Sequence, residues 1–171
     1  MNDATLSRAV IDTPIGPLTL VASDEGLRAV LWPDERDGRV PIEGDPRDDP
    51  DYPILVEAAR QIDEYFRAER RRFDVPLDPV GTDFQRRVWQ VLASIDFGDT
   101  LTYGDVSEVV VGDRSAARAV GAAIGRNPFS ILVPCHRVVG ANGSLVGFAG
   151  GIDVKRRLLA HETGAVGLPF G

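Results

Sequence analysis

The chain has 171 residues, 43% hydrophobic and 26% charged, which fits a globular protein of one compact domain or two small ones. No apolar run approaches the roughly 18 residues that a membrane helix needs, and residues 1–5 lack the basic start and apolar core of a secretory signal. One cysteine excludes an internal disulfide, and with only two histidines it disfavours a structural zinc site. We therefore expect a cytoplasmic protein without a metal or other cofactor.

The net charge of −7 is unevenly distributed along the chain. Residues 1–79 contain 10 Lys+Arg and 18 Asp+Glu, whereas residues 80–171 contain 9 and 8. The acidity belongs to the first half, so the second half is free to present a local basic face to phosphate groups. This distribution permits nucleic-acid binding without requiring it, because a strongly basic domain would be a clearer sign.

The first half predicts a small sheet covered by a helix. Short β-type runs at 7–12, 18–22 and 27–32, joined by turns, predict an antiparallel meander. Residues 33–50 are rich in Pro, Gly, Asp and Arg and predict an exposed loop. Apolar residues then recur at helical spacing, which predicts a helix over 54–70 that packs on the sheet. Its predicted inward residues are Leu55, Ala58, Ala59, Ile62, Tyr65 and Phe66.

Residues 76–81 are typical of a linker and predict a domain boundary. We expect an acidic, structural N-terminal domain over 1–78 and a C-terminal DNA-binding and catalytic domain over 79–171.

The C-terminal half has a mainly helical pattern. Thr82 is the predicted N-cap of its first helix, followed by a short helix over 105–111. Ser115 is the predicted cap of a third helix over 116–125. A short helix, a glycine-containing turn and a small-residue-rich helix outline a helix-turn-helix, although many helix pairs in enzymes share this outline.

Cys135, His136 and Arg137 interrupt an apolar run that predicts a buried strand over 131–139. The thiolate is the reactive form of cysteine, and a neighbouring imidazole or cation favours it. A buried free cysteine is also commonly an inert small hydrophobe. Because adjacent side chains usually diverge, Cys135 and His136 need either a special turn or a bridging water to cooperate.

The run Pro-Cys-His-Arg-Val at 134–138 resembles the active-site motif of the O6-alkylguanine-DNA alkyltransferases. Further blocks resemble the same family in order and spacing, up to Lys155 and the closing Leu-Leu-Ala-His-Glu at 158–162. The blocks between are Leu-Thr-Tyr-Gly at 101–104, Ala-Ala-Arg-Ala-Val-Gly at 116–121, Asn-Pro at 127–128 and Gly-Phe-Ala-Gly-Gly at 147–151. The opening Thr-Pro-Ile-Gly-Pro-Leu at 13–18 is similar more loosely.

The resemblance implies an α+β fold. Its parts would be an N-terminal α/β domain with a small antiparallel, ribonuclease H-like sheet and a C-terminal, mainly helical winged helix-turn-helix domain. It implies DNA repair by irreversible transfer of an alkyl group from O6-alkylguanine, and from O4-methylthymine, to Cys135, once per protein. The expected partner is double-stranded DNA with alkylated bases. We expect no membrane partner and a monomer in solution, with cooperative assembly on DNA left open.

The resemblance also implies the catalytic roles. Cys135 would be the nucleophile, His136 its base acting through a water, and Glu162 the group that orients the imidazole. Tyr103 would help to protonate the departing guanine, and Asn127 would brace the helix-turn-helix against the active-site segment. Without the resemblance, Glu162 is a solvated helix-end residue, Tyr103 an amphipathic residue at the core edge, and Asn127 a turn residue before a proline.

Arg118 would enter the base stack in place of a flipped nucleotide, because the alkyl group of a paired guanine is shielded inside the duplex. The small residues Ala116, Ala117 and Gly121 would let the DNA approach this helix. Without the resemblance, an arginine at this position of a helix is usually a solvated charge or a phosphate contact.

Val138, Gly147, Phe148 and Ala149 would line the substrate pocket, with residues 147–151 as one wall. Ala149 stands where some family members have a hydroxyl residue that contacts the guanine oxygen, and Phe148 stands where many have tyrosine. Both departures concern which alkyl groups fit, whereas the reaction itself depends on other residues.

Other classes remain as alternatives. A protein that binds alkylated DNA without repairing it would lack the cysteine that this chain has. A transcription regulator would need a cysteine-rich, metal-linked sensing domain, and a cysteine protease or amidase would need an oxyanion-hole loop; neither feature is recognisable in the sequence.

Overall fold

The structure, a computed structural model, describes residues 5–164. Residues 1–4 and 165–171 lie outside the described part. The first range includes most of the segment in which the sequence shows no secretory signal, and the second is the end of the predicted C-terminal domain. Within residues 5–164, no helix is both long enough and apolar enough to cross a membrane.

The N-terminal sheet is a meander with one added edge strand. Strands β1 (Ser7–Ile11), β2 (Leu18–Ala22) and β3 (Leu27–Leu31) are antiparallel, as predicted. The predicted loop over 33–50 is wrong at one point, because β4 (Arg47–Asp48) pairs in parallel with β1. Two exposed charged residues carry no strand pattern; the pairing is formed by backbone hydrogen bonds and by the ion pair of Arg8 Nε with Asp48 Oδ1 at 2.7 Å.

Helix α1 (Pro53–Phe66) packs on the sheet through the predicted apolar face. The prediction that it continues to residue 70 is wrong, because the chain leaves the helix at Arg67 and Ala68 has a positive φ of 61°. Gln61 is buried on this face, where its side-chain oxygen accepts a hydrogen bond from the Asp74 amide at 3.0 Å. Ala59, predicted to face inward, is only partly buried.

The two halves of the chain meet along β3. Residues 76–78 of the predicted linker pair with Leu27, and the Val30 amide donates to the Pro128 carbonyl at 2.7 Å. Gly26 has no room for a side chain, because a Cβ there would lie 2.7 Å from the Pro76 oxygen. One apolar core therefore runs from the sheet through α1 to Cys135 and Leu158.

Helix α2 (Asp83–Ala93) begins at a capping box of Thr82 and Gln85, which confirms the predicted N-cap. Its Trp89 ring nitrogen donates to the Ala123 carbonyl at 2.9 Å and so fixes the third helix of this half.

The helix-turn-helix consists of α3 (Tyr103–Val111) and α4 (Ala117–Gly125). Helix α3 begins two residues earlier than predicted, because Thr102 and Asp105 form a capping box. The prediction of Ser115 as a helix cap is wrong. Asp113 accepts hydrogen bonds from the Ser115 amide and hydroxyl in a 3₁₀ turn (Arg114–Ala116) that precedes α4.

The strand predicted over 131–139 is also wrong over most of its length. Cys135–Arg137 form a 3₁₀ turn, and only β6 (Val138–Val139) is extended, paired in parallel with β5 (Leu101–Thr102). Helix α5 (Ile152–Thr163) follows and ends at Gly164 in a left-handed conformation.

Candidate active site

The segment that leads to Cys135 is fixed by a buried asparagine. The side-chain nitrogen of Asn127 donates to the Val133 carbonyl at 2.9 Å, and its oxygen accepts from the Phe129 amide at 3.0 Å. Between them, Ile131 has a φ of 77°, which is uncommon for a branched residue. These contacts bend the chain so that Cys135 begins a 3₁₀ turn immediately below the helix-turn-helix.

Cys135 lies in the floor of a cavity of about 550 Å³. The cavity is bounded by α3 and α4 on one side, by residues 146–149 on another, and by the N-terminal loop on a third. Its other lining residues are Asp34, Glu35, Arg36, Arg39, Tyr103, Gly121, Ile124, Gly125, Val146, Gly147, Phe148 and Ala149. Predicted pocket residue Val138 is fully buried in β6 and is not part of this lining.

The glycine-rich wall is supported from both halves of the chain. Lys155 is buried on α5, and its ammonium group donates to the Val146 carbonyl at 2.9 Å. Phe148 meets Trp32 edge to face with 5.4 Å between ring centroids. Gly150 lies flat on the same indole, because a Cβ there would come within 2.8 Å of it. Trp32 therefore sets the position of the wall.

Arg39 is a second N-terminal residue at the cavity. Its buried guanidinium pairs with Glu35 at 2.8 Å. It also donates to the carbonyls of Gly125 and Asn127 at 3.2 and 2.8 Å. It thereby ties the loop after β3 to the end of α4.

Behind Cys135, the next two side chains of the turn meet Glu162. The His136 Nε2 atom is 2.6 Å from Glu162 Oε2, and Arg137 binds both carboxylate oxygens, at 2.7 Å through Nε and 3.0 Å through Nη2. Arg137 is held further by the Ile95 carbonyl, which accepts from Nη1 at 2.5 Å. The other ring nitrogen, His136 Nδ1, is buried and has no hydrogen-bond partner among the described residues.

The ionisation of these groups follows from burial and charge. Burial raises the pKa of the Cys135 thiol, although the Asn127 side chain and the charges of Arg39 and Lys155 oppose this. Burial lowers the pKa of His136, against the effect of Glu162. Burial alone would raise the pKa of Glu162, but the hydrogen bonds and charges of His136 and Arg137 lower it to about 2. The resting site thus contains a thiol, a neutral imidazole and a carboxylate.

Tyr103 lines the cavity, and its hydroxyl donates to the Val146 carbonyl of the wall at 3.3 Å. Burial and the nearby Cys135 raise the pKa of Tyr103, so its phenol stays protonated and can donate. Arg118 is exposed on α4, and Ala116 and Ala117 at the start of that helix are only partly covered. The predicted DNA-contacting residues therefore share the face beside the cavity mouth, where Gly121 lies.

Comparison with known proteins decides the family. The profile of the 6-O-methylguanine DNA methyltransferase DNA binding domain matches residues 83–164, and that of the ribonuclease-like domain of the same protein matches residues 6–79. The Methanosarcina acetivorans methylated-DNA–protein-cysteine methyltransferase is 44% identical over 154 residues, which cover 90% of this chain and 96% of that protein. The Mycobacterium leprae protein of the same name is 43% identical, with 89% of each chain covered. The chain belongs to the methylated-DNA–protein-cysteine methyltransferase family.

Solved structures agree with this assignment. Mycobacterium tuberculosis OGT in complex with DNA superposes with a TM-score of 0.85 at 42% identity, covering 92% of this chain and 93% of that one. The Methanococcus jannaschii O6-methylguanine DNA methyltransferase gives 0.66 at 27% identity, with 91% and 93% covered. The predicted α+β fold class is therefore confirmed, and the chain is a DNA-binding repair enzyme of the methyltransferase class.

The structure brings Cys135, His136, Glu162 and Asn127 together and places Tyr103 in the lining of the cavity that contains Cys135. Four residues at or behind the site were not predicted as site residues, namely Trp32, Arg39, Lys155 and Tyr65, whose hydroxyl donates to Glu162 Oε2 at 2.5 Å. Lys155 lies in a family block and could have been found there. The other three are separated from the motif by about half the chain, and nothing in their local pattern distinguishes them from ordinary core or loop residues.

Proposed function

We propose that this methyltransferase repairs O6-alkylguanine, and O4-methylthymine, in duplex DNA by moving the alkyl group to Cys135 once per protein molecule. The observation that carries the proposal is the arrangement of three groups. The Cys135 thiol lies in the cavity floor, His136 Nδ1 has no hydrogen-bond partner among the described residues, and His136 Nε2 is bound to the Glu162 carboxylate. Each group has the ionisation state that its step requires.

The thiol must lose its proton during the reaction, because burial keeps it protonated at rest. Donation of Nε2–H to Glu162 fixes the imidazole tautomer and leaves Nδ1 as an acceptor. Nδ1 is the atom that would take the thiol proton through a bridging water, which overcomes the divergence of adjacent side chains. Glu162 then stabilises the imidazolium that forms, in the manner of a catalytic triad.

The transfer itself is a displacement at carbon. The Cys135 sulfur forms a bond to the alkyl carbon while the bond from that carbon to guanine O6 breaks, and the electron pair stays on the base. Tyr103 would donate its hydroxyl proton toward the departing guanine, which leaves as the normal base. The product thioether carries no proton that His136 could remove, so the cysteine is consumed.

The lesion would reach the thiol by base flipping. Unstacking costs a few kcal/mol and least for a damaged, poorly paired base. Arg118 would occupy the vacated stack, and the low side-chain bulk of Ala116, Ala117 and Gly121 would let the duplex approach α4 closely. Phe148, Gly147 and Ala149 would cover the flipped base, with any contact to its oxygen supplied by backbone because Ala149 has no hydroxyl group.

We divide the chain into an N-terminal domain over 1–78 that supports and covers the site, and a C-terminal DNA-binding and catalytic domain over 79–171. We place the protein in the cytoplasm, where a reducing environment keeps the acceptor thiol free. It would act as a monomer in solution.

A titration on the DNA side tests the proposal. Increasing amounts of a duplex with one O6-methylguanine are added to a fixed amount of protein, and the repaired guanine is counted. We expect repair to saturate at one guanine per protein, and Cys135→Ser to bind the duplex without repairing it. Repair beyond one guanine per protein would contradict single use, and tight binding without repair by the wild-type protein would favour a lesion-binding protein. Repair of an O4-methylthymine duplex, measured in the same way, tests the wider substrate range.

A further inference from the structure

Glu162 receives a hydrogen bond from the N-terminal half of the chain. The hydroxyl of Tyr65, on α1, donates to Glu162 Oε2 at 2.5 Å across a separation of 97 residues. Tyr65 has no solvent exposure. Neither Tyr65 nor Glu162 is among the residues that line the cavity, so this contact lies behind the turn that contains Cys135.

The two carboxylate oxygens of Glu162 accept different numbers of hydrogen bonds. Oε1 accepts from Arg137 Nε, whereas Oε2 accepts from Tyr65, from His136 Nε2 at 2.6 Å, and from Arg137 Nη2 at 3.0 Å. Tyr65 and His136 therefore share one acceptor atom. A donor that shares an acceptor draws part of its negative charge, and the other donor is held less strongly.

The phenol of Tyr65 is held firmly in its place. Its ring meets Phe97 and His161 edge to face, with centroid distances of 6.0 and 5.0 Å. His161 Nε2 is also 2.8 Å from the Tyr65 backbone oxygen, so α5 binds this residue through two successive side chains. The hydroxyl is thus presented to Glu162 by packing on several sides.

We propose that Tyr65 is a positioning residue for alkyl transfer, whose hydroxyl fixes Glu162 Oε2 and limits how strongly that carboxylate holds a proton on His136. This inference rests on the proposed function, because it concerns the base that activates Cys135. It gives the N-terminal domain a part in the chemistry besides covering the site.

The surrounding charges support this role. Burial and the Glu162 charge raise the pKa of Tyr65 well above its usual value, so the hydroxyl remains a donor throughout the working range. The charged groups that act on His136 are Arg137 in its own turn, and Lys155 and Glu162 on α5. The charges of Arg137 and Lys155 oppose protonation of His136, and Glu162 favours it. Without the Tyr65 hydroxyl, the Glu162 carboxylate would stabilise the protonated His136 imidazole more strongly.

Tyr65→Phe removes one oxygen and leaves the ring packing intact, and Tyr52→Phe is a matched control. Tyr52 is in the same half of the chain, and its hydroxyl donates to the Ser23 carbonyl at 3.3 Å. Single-turnover transfer rates from an O6-methylguanine duplex are measured against pH. Protonated His136 cannot accept the thiol proton, so we expect the acid-side midpoint of Tyr65→Phe to move upward by about half a pH unit or more. The midpoint of Tyr52→Phe should equal that of wild type. A lower rate for Tyr65→Phe at every pH with an unmoved midpoint would overturn the proposal.

Proton NMR gives a second readout that needs no DNA. The chain has only two histidines, so the ring N–H resonances are readily assigned. In the wild-type protein we expect a slowly exchanging Tyr65 hydroxyl proton with a cross-peak to the His136 Nε2 proton. In Tyr65→Phe the His136 Nε2 proton should move further downfield while that of His161 stays in place. Absence of the cross-peak, or an unmoved His136 resonance, would overturn the proposal. Lack of repair by the wild-type protein would instead overturn the proposed function and leave this readout intact.

Discussion

The two halves of the chain contribute to the site in different ways. The C-terminal half supplies the reacting groups, of which two are consecutive in one turn and a third lies on the helix that follows. The N-terminal half supplies single side chains from the segment after β3 and from α1. Trp32 positions the wall, Arg39 fastens the end of α4, and Tyr65 binds Glu162. A short sequence motif therefore supplies the reacting groups, whereas side chains that are distant in sequence hold the surrounding structure in position.

A second contrast lies within the turn itself. Cys135 faces the cavity, whereas the Glu162 side chain is only 1% exposed behind it. Substrate contacts and proton transfer therefore occupy opposite sides of three residues, and variants on the two sides should have separable effects.

Glu162→Gln should cause the largest loss. It removes the charge that stabilises the imidazolium, and general-base assistance of this kind is worth about 100-fold or more in rate. It also leaves Arg137 buried without its partner, which costs about 3–5 kcal/mol of stability. Because Glu162 is sealed from the cavity, lesion affinity should stay within about twofold of wild type. Single-turnover rates and equilibrium binding, measured where the variant is folded, check this split. An equal loss in both would contradict the separation of the two sides.

The same carboxylate predicts how stability depends on pH. Its folded pKa of about 2 lies below the ordinary value of 4.5, so its contribution is fully present above pH 4.5 and is lost as pH falls toward 2. A shift of this size corresponds to about 3 kcal/mol. Urea unfolding between pH 2 and pH 7 should show this decline in wild type and a much weaker one in Glu162→Gln. Parallel declines would show that the ion pair does not control acid stability.

Asn127→Ala tests the brace above the turn. It leaves the Val133 carbonyl and the Phe129 amide buried without partners, at about 1–3 kcal/mol for each group. We expect a loss of about 2–4 kcal/mol in urea unfolding, together with slower transfer. Asn142→Ala, which removes an exposed asparagine, is the control and should change stability by less than about 0.5 kcal/mol. Similar losses in both variants would rule out a special role for the brace.

Arg118→Ala tests the DNA side alone. Loss of a side chain that fills the stack should weaken binding to a lesion duplex by about tenfold and leave unfolding unchanged. Arg60→Ala, on the acidic half, should leave binding unaffected. Wild-type affinity should fall with added salt and differ little between flanking sequences. A strong preference for one operator-like sequence would favour a regulator.

Gly150→Ala should have the smallest effect and tests the N-terminal contribution most selectively. The added methyl group meets the Trp32 ring, so the wall must shift, at about 1–3 kcal/mol of stability and a severalfold loss in transfer rate. If Trp32 is the cause, the same change in a Trp32→Leu background should have a much smaller effect. Equal effects in both backgrounds would show that Trp32 does not set the position of the wall.

The sequence predicted the meander, α1, the α2 cap and the helix-turn-helix, because periodicity and capping are local signals. It did not predict β4, whose residues are charged and exposed, or the end of α1, which a backbone turn at Ala68 decides. The strand expected around Cys135 failed because Asn127 and Ile131 bend the apolar run and Pro134 leads it into a 3₁₀ turn. The reacting groups were found through a motif, whereas Trp32, Arg39 and Tyr65 depend on contacts across the chain.

The most direct test of the central claim is the mass of the peptide that contains Cys135. The protein is mixed with a slight excess of a duplex with one O6-methylguanine, digested, and compared with protein mixed with the unmodified duplex. We predict that this peptide gains one methyl group in place of a hydrogen, in nearly every molecule, and that fragmentation places it on Cys135. A methyl group on any other residue, or an unchanged peptide beside repaired DNA, would contradict the account.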